Sequence, residues 1–233
     1  MSDAEERELL RLDPVAPEET ERYGEHPAQV VDFFGRRGGP RVTVLHGGFW
    51  REAFDRSHLT PFAAALAGHG FAVELVEYRR VGGGGGWPVT AEDVAAALDH
   101  LGGPPKVLLG HSAGGQLALW AAARRDRAAD RVVALAPVAD LGRAADLGLS
   151  AGAVGEFLGA HPPDEADPMR LLPRVPVELL HGTADLDVPV ELSRRYAANW
   201  GARLHLLPGT GHYAPLLPGR PAFGVLVDVL RRG

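Results

Sequence analysis

Seven short apolar runs punctuate the chain, at residues 29–34 (QVVDFF), 41–46 (RVTVLH), 71–78 (FAVELVEY), 106–111 (KVLLGH), 131–137 (RVVALAP), 175–181 (VPVELLH) and 203–208 (RLHLLP). Several are almost continuously apolar rather than alternating, the pattern of strands covered on both faces. Between them the period turns helical. In TAEDVAAALDHL (90–101), Val94, Leu98 and Leu101 fall at i, i+4 and i+7 and make one apolar stripe, and Thr90 with Asp93 reads as a capping-box variant. Further helices are predicted over 57–68, 113–125, 191–199 and 221–232, with a short N-terminal one over 5–12. Strands alternating with helices at this spacing predict one α/β domain spanning 1–233: a mostly parallel, doubly wound sheet with helices on both faces.

Two segments break this rhythm, and the charged, proline-punctuated residues 1–28 read as an N-terminal extension, helix then loop. VGGGGGWP (81–88) stops short of a dinucleotide fingerprint, because Trp87 stands where the last glycine belongs and Pro88 follows; it reads as a mobile loop at the C-terminal edge of the sheet. Residues 141–172 insert about thirty positions between two strands, the length of a lid or pocket wall.

Composition narrows the chemistry. The formal net charge of −6 argues against a nucleic-acid partner, and no run of eighteen apolar residues predicts a membrane span. The acidic start MSDAEERELL lacks the basic, then apolar, order of a signal peptide, so a cytoplasmic protein is expected. With no cysteine there is no thiol nucleophile or disulfide, and the one lysine, Lys106, opens a strand. The ten histidines contain no HExxH pair, so neither a metal nor an organic cofactor is called for. If the protein is a hydrolase acting on a small-molecule ester or amide, serine, histidine and carboxylates must do the work.

They occur in a telling order. Gly110-His111-Ser112-Ala113-Gly114 is G-x-S-x-G between a predicted strand and a predicted helix, the setting of a nucleophile held on a sharp turn. In such proteins the acid follows the serine and the histidine follows the acid. Six histidines precede Ser112; of the rest, His212 lies in the loop after the last strand, where its ring can reach the sheet edge. The acid falls in HGTADLDVP, where Asp185 stands 27 residues before His212, with Asp187 and then Asp140 as alternatives. HGGFW, after the strand at 41–46, offers backbone N–H groups for an oxyanion, joined by the amide of Ala113. Trp50 and Phe49, with His111 and Trp87, are expected to wall the substrate.

HGGFW, GHSAGG, HGTADLDVP and GTGH, in that order, make residues 29–230 resemble the α/β-hydrolase superfamily, most closely its compact esterases and kynurenine formamidases (arylformamidases). The resemblance implies a serine hydrolase of the carboxylesterase type, with Ser112, Asp185 and His212 as the triad and the amides of Gly48 and Phe49 in the oxyanion hole. Arylformamidase activity is the alternative it offers. A silent, ligand-binding relative would be expected to have lost one of these elements.

Overall fold

The computed structural model describes residues 2–232. In chain order its elements are α1 (Ser2–Leu9), β1 (Glu19–Arg22), β2 (Val30–Phe34), β3 (Arg41–Leu45), α2 (Thr60–Gly68), β4 (Ala72–Val76), α3 (Val89–His100), β5 (Val107–His111), α4 (Ala113–Arg124), β6 (Arg131–Leu135), α5 (Leu141–Asp146), α6 (Ala153–Leu158), β7 (Val177–Gly182), α7 (Glu191–Trp200), β8 (Arg203–Leu207) and α8 (Pro221–Arg231). Among the described residues eight strands form one sheet in the order β1-β2-β4-β3-β5-β6-β7-β8. β1 and β2 run antiparallel to their neighbours, and every pairing from β4 to β8 is parallel. Among these residues no helix is long and apolar enough to cross a membrane.

The central strands are buried throughout because each face meets its own helical layer. Successive residues supply opposite layers. Leu108, Val132 and Ala134 join α3 and α4 in one core, whereas Val107, Leu109, Val133 and Leu135 join α2 and α8 in the other. At ~1.5–3 kcal/mol for each fully buried Val or Leu side chain, these two layers dominate the stability of the sheet.

α4 lies unusually close to the strands. A Cβ on Gly114 would stand 2.2 Å from the Leu45 carbonyl oxygen and 2.3 Å from that of His46, and one on Gly110 would stand 2.2 Å from the Gly114 carbonyl oxygen. The two glycines of G-x-S-x-G are therefore required by backbone-to-backbone contact.

Three expectations change. The N-terminal extension contains an edge strand: β1, with the sequence ETER, pairs with β2, and the Thr20 hydroxyl donates to Asp32 at 2.6 Å. Thr90 does not cap α3, whose N-cap is Pro88. Its hydroxyl donates to the Arg79 carbonyl and accepts from the Gly86 amide, while Asp93 accepts from Arg79 and Gln29. The glycine run is likewise folded back rather than projecting. A Cβ on Gly85 would meet the Arg79 backbone at 2.3 Å, and the Trp87 amide donates to the Phe157 carbonyl at 2.7 Å.

Candidate active site

The C-terminal ends of β3, β5, β7 and β8 open toward one small cavity. Leu45 at the end of β3 is paired with Gly110 of β5, and Gly182 of β7 with Leu207 of β8, so the loops that follow emerge side by side. Ser112 sits between β5 and α4 with φ 55° and ψ −116°, a sparsely populated conformation for a residue with a side chain. The surroundings hold it there. Its amide donates to the Leu135 carbonyl at 2.9 Å, and its own carbonyl accepts from Gln116 and Val138. Its buried Oγ has no hydrogen-bond partner.

His212 reaches the same cavity from the loop after β8, and both residues line it. The loop is seated on β7: the Ala184 amide donates to the Thr210 carbonyl, and a Cβ on Gly182 would collide with that same oxygen at 2.1 Å. His212 Nδ1 lies 2.6 Å from Asp185 Oδ2. Asp185 Oδ1 accepts from the amides of Asp187 and Val188, and His181 Nε2 stands 3.3 Å from Oδ2. Burial raises the Asp185 pKa, but the His181 and His212 imidazoles and the Val188 amide outweigh it and hold the carboxyl well below the usual carboxylate range. The Ser112–His212 hydrogen bond is not made in this structure, a looseness common before substrate is bound.

Of the three acids considered, Asp185 is the one bonded to His212. Asp187 lines the cavity with a buried, unpartnered Oδ2. Asp140 instead caps α5 and pairs with Arg195. Asp185, Asp187 and His212 bring one ligand atom each within 4.8 Å of one another, the one such cluster among the described residues.

The HGGFW loop turns through three positive-φ residues, Gly48 (106°), Phe49 (48°) and Trp50 (58°). Among the described residues, the amides of Gly48 and Phe49 make no hydrogen bond within the chain. Gly47 lies directly against the serine, since a Cβ there would stand 3.1 Å from that of Ser112. Behind the loop, the Tyr78 hydroxyl donates to the His46 carbonyl, and the Tyr78 ring stacks on His46 at 4.4 Å. The His46 ring lies between the Gly47 carbonyl (2.8 Å) and the buried Glu77 carboxylate (3.0 Å). Burial, and then the Arg80 guanidinium, push its pKa down to about 3, so it is neutral near pH 7 with one N–H for these two acceptors.

The walls differ from expectation. Trp50 is fully buried, stacked on Phe157 at 4.5 Å, and its Nε1–H donates to Gln116. Trp87 packs edge-on against Trp120 and Phe157. Both tryptophans belong to the core beneath the insertion and do not line the cavity, because their large apolar surfaces are claimed by Phe157 of α6. Phe49 does line it, as expected, and Phe54 and Tyr213 complete the aromatic wall, with Ser150 from the insertion and Glu6, Leu9 and Leu10 from the N-terminal segment.

His111 does line the cavity and is neutral. Its Nε2–H donates to the His212 carbonyl at 3.2 Å, while burial, and then the neighbouring His212, push its pKa far down. His58, which precedes the serine in sequence, also lines the cavity, and burial pushes its pKa down to about 4. The motifs carry no signal for His58, Phe54 or Glu6; the i, i+4 spacing of His181 and Asp185 was the one available hint of the second imidazole.

The cavity measures about 160 Å³. A larger, open groove of about 720 Å³ lies at the opposite ends of β3 and β4, and its lining contains no serine, threonine or histidine.

A family model for the α/β hydrolase fold matches residues 40–157, half of the chain. No curated protein matches the sequence. Among solved structures, esterase B from Lactobacillus rhamnosis aligns over 99% of this chain and 89% of its own, with 20% identity and a TM-score of 0.77. An acetyl ester-xyloside bifunctional hydrolase from Caldicellulosiruptor lactoaceticus aligns over 92% and 94%, with 20% identity and a TM-score of 0.73. A propionate-bound esterase from the planctomycete Thermogutta terrifontis aligns over 91% of each chain, with 21% identity and a TM-score of 0.69. At these identities the likeness to the solved structures is one of fold, and it agrees with the parallel order β4-β3-β5-β6-β7-β8. Family match and sheet topology together place this chain in the α/β-hydrolase family.

Proposed function

We propose that the protein is a serine hydrolase of the carboxylesterase type, acting on esters with a small acyl group. One observation carries the reading: a strained serine with an unpartnered Oγ shares a small cavity with an imidazole whose other nitrogen is bound to a buried carboxylate. A serine in this backbone conformation has no structural use for its hydroxyl, and strain of ~1–3 kcal/mol persists where the surroundings impose it for a task. The esterases among the solved structures support the same reaction class.

The chemistry follows from the positions. Asp185, ionised at neutral pH, fixes the His212 tautomer with the proton on Nδ1 and leaves Nε2 as the base. Substrate binding brings Ser112 and His212 together. Nε2 takes the Oγ proton as Oγ attacks the ester carbonyl, and the carbonyl π pair moves onto oxygen. The amides of Gly48, Phe49 and Ala113 receive that oxyanion; Ala113 opens α4, so its N–H has no acceptor within the helix. Collapse breaks the carbon–oxygen bond to the leaving alcohol, which departs with the proton from His212. Water, deprotonated by His212, then attacks the acyl carbon; the carbon–Oγ bond breaks, Ser112 Oγ takes the proton back from His212, and the acid is released.

A volume of about 160 Å³ is close to that of an engineered ~150 Å³ protein cavity that binds benzene. It accommodates an acetyl or butyryl group or an aromatic leaving group, and Phe49, Phe54 and Tyr213 favour the latter as a stacking partner. An N-formyl anilide, the arylformamidase substrate type, would use the same residues with a poorer leaving group and a heavier demand on His212 as acid.

The test is covalent labelling by a fluorophosphonate together with hydrolysis of p-nitrophenyl acetate. The wild-type protein is expected to do both, and Ser112→Ala neither, with its circular dichroism and Tm close to wild type. Labelling retained in Ser112→Ala, or absent from the wild type, rejects the assignment.

A further inference from the structure

The helix that opens the chain bears on the histidine loop near its other end. The Glu5 carboxylate accepts three backbone hydrogen bonds, from the amides of Gly211, Tyr213 and Ala214, each at 3.1 Å. These amides flank His212 on both sides. Those of Tyr213 and Ala214 stand at the start of the short turn Ala214–Leu216, where no preceding carbonyl is placed to accept them. Gly211 is part of the fit, because a Cβ there would stand 2.5 Å from Glu5 Oε2. On its opposite side the loop is held by the Ala184 amide and the Thr183 hydroxyl, which bind Thr210 and Gly209. His212 is thus suspended between β7 and α1.

The geometry points to Glu5 as a positioning residue for His212: its carboxylate sets the loop so that the imidazole is aimed at Ser112 while its Nδ1–H stays on Asp185. This rests on the hydrolase reading above. Glu5 touches neither His212's ring nor Ser112, so it acts through the backbone. The same helix is anchored independently by Leu9, which is buried in the core, and by the exposed Glu8–Arg220 pair. Docking of the helix and capping of the loop can therefore be separated by substitution.

The experiment compares Glu5→Ala, Glu5→Gln and Glu8→Ala in the full chain. A displaced catalytic group costs on the order of 10²-fold in rate for a shift of about 1 Å. Glu5→Ala is therefore expected to lower kcat for p-nitrophenyl acetate roughly 10- to 100-fold with KM within about twofold of wild type. Glu5→Gln, which keeps one acceptor oxygen, is expected to fall between the two. Glu8→Ala should leave kcat unchanged, since it loosens only the exposed end of the helix. A merely structural role would instead open the wall formed by Glu6, Leu9 and Leu10 and would appear in KM and Tm, alike in the Glu5 and Glu8 variants.

A second readout does not depend on turnover. The downfield proton resonance of His212 Nδ1–H, shared with Asp185, should be present in wild type and in Glu8→Ala, and lost or broadened in Glu5→Ala. Wild-type kcat or an unchanged resonance in Glu5→Ala overturns the proposal. Failure of the wild-type protein to hydrolyse or to be labelled overturns the hydrolase reading instead, and leaves the resonance to judge whether Glu5 orders the loop.

Discussion

Asp185 holds His212 through one carboxylate oxygen and accepts two backbone amides on the other, so an isosteric change at this residue isolates its contribution. Asp185→Asn leaves the shape intact but favours the wrong His212 tautomer, and kcat is expected to fall by roughly 10⁴, the loss known for such a change in a serine protease. Asp187→Asn, which leaves the Asp185–His212 bond in place, should cost less than tenfold; steady-state kinetics of the two variants that showed the reverse order would move the acid to Asp187. Buried neutral imidazoles supply a second prediction. His46 and His111 have folded pKa values far below that of an unfolded histidine, ~6.5. Below that pH the unfolded chain binds protons that the folded one refuses. Stability should therefore fall as the pH drops from about 6.5 toward 4, by up to ~1.4 kcal/mol per pH unit for each such histidine. Denaturant unfolding at pH 7, 5.5 and 4.5 checks this, and a flat result would mean that the rings are charged in place. At this scale the convergence of Ser112, Asp185 and His212 was readable in sequence, because turn chemistry and chain order are local signals. Glu5 was not, since its partners lie 206 to 209 residues away and a lone glutamate in a charged segment advertises nothing.

Among the elements, those with a strong period were legible and those made by pairing were not. β5 and β6 announce themselves as apolar runs because both of their faces are covered. β1 is an exposed, antiparallel edge strand of four polar residues, held by the ladder to β2, and no periodicity marks it. The insertion at 141–172 was visible as an excess of length, but its packing was not. Its α6 places Phe157 on Trp50, and Gln116 of α4 accepts from Trp50 and donates to the Ala166 carbonyl, so the segment is bolted to the core beneath the serine. Trp50→Ala is accordingly expected to destabilise the fold by ~3–5 kcal/mol, the range for a large aromatic deleted from a core. Trp50→Phe should cost less and leave the ratio of kcat/KM between acetate and butyrate esters unchanged; a shift in that ratio would return Trp50 to the substrate wall.

For the molecule as a whole, the cavity limits what can be turned over. Its volume and its closure by α1, the HGGFW loop and Ser150 predict a steep dependence on acyl length. Aryl acetates and butyrates should be hydrolysed well, and acyl chains beyond about eight carbons poorly, because each added methylene gains ~0.8 kcal/mol only where apolar surface is available to bury it. A p-nitrophenyl ester series from acetate to palmitate provides the measurement, and a maximum at ten carbons or more would contradict the small acyl pocket. In the same assay N-formyl-kynurenine should be turned over more slowly than phenyl acetate. The parallel sheet and its two helical layers followed from alternation and composition. The size of the cavity did not, because it depends on how α1 and residues 141–172 close over the strand ends.

The contact between Glu5 and residues 211–214 also has a bearing on synthesis. Glu5 is made 206 residues before Gly211, its partner in the histidine loop. An eight-residue helix has too few turns to persist alone in water, so α1 has no loop to cap until the segment around His212 has emerged. Leu9 then docks, Glu5 caps the loop and the cavity closes, in one late step. Until then Ser112 stands without His212 or the Glu5 cap, so the proposed site is assembled only after all eight strands of the sheet have been made.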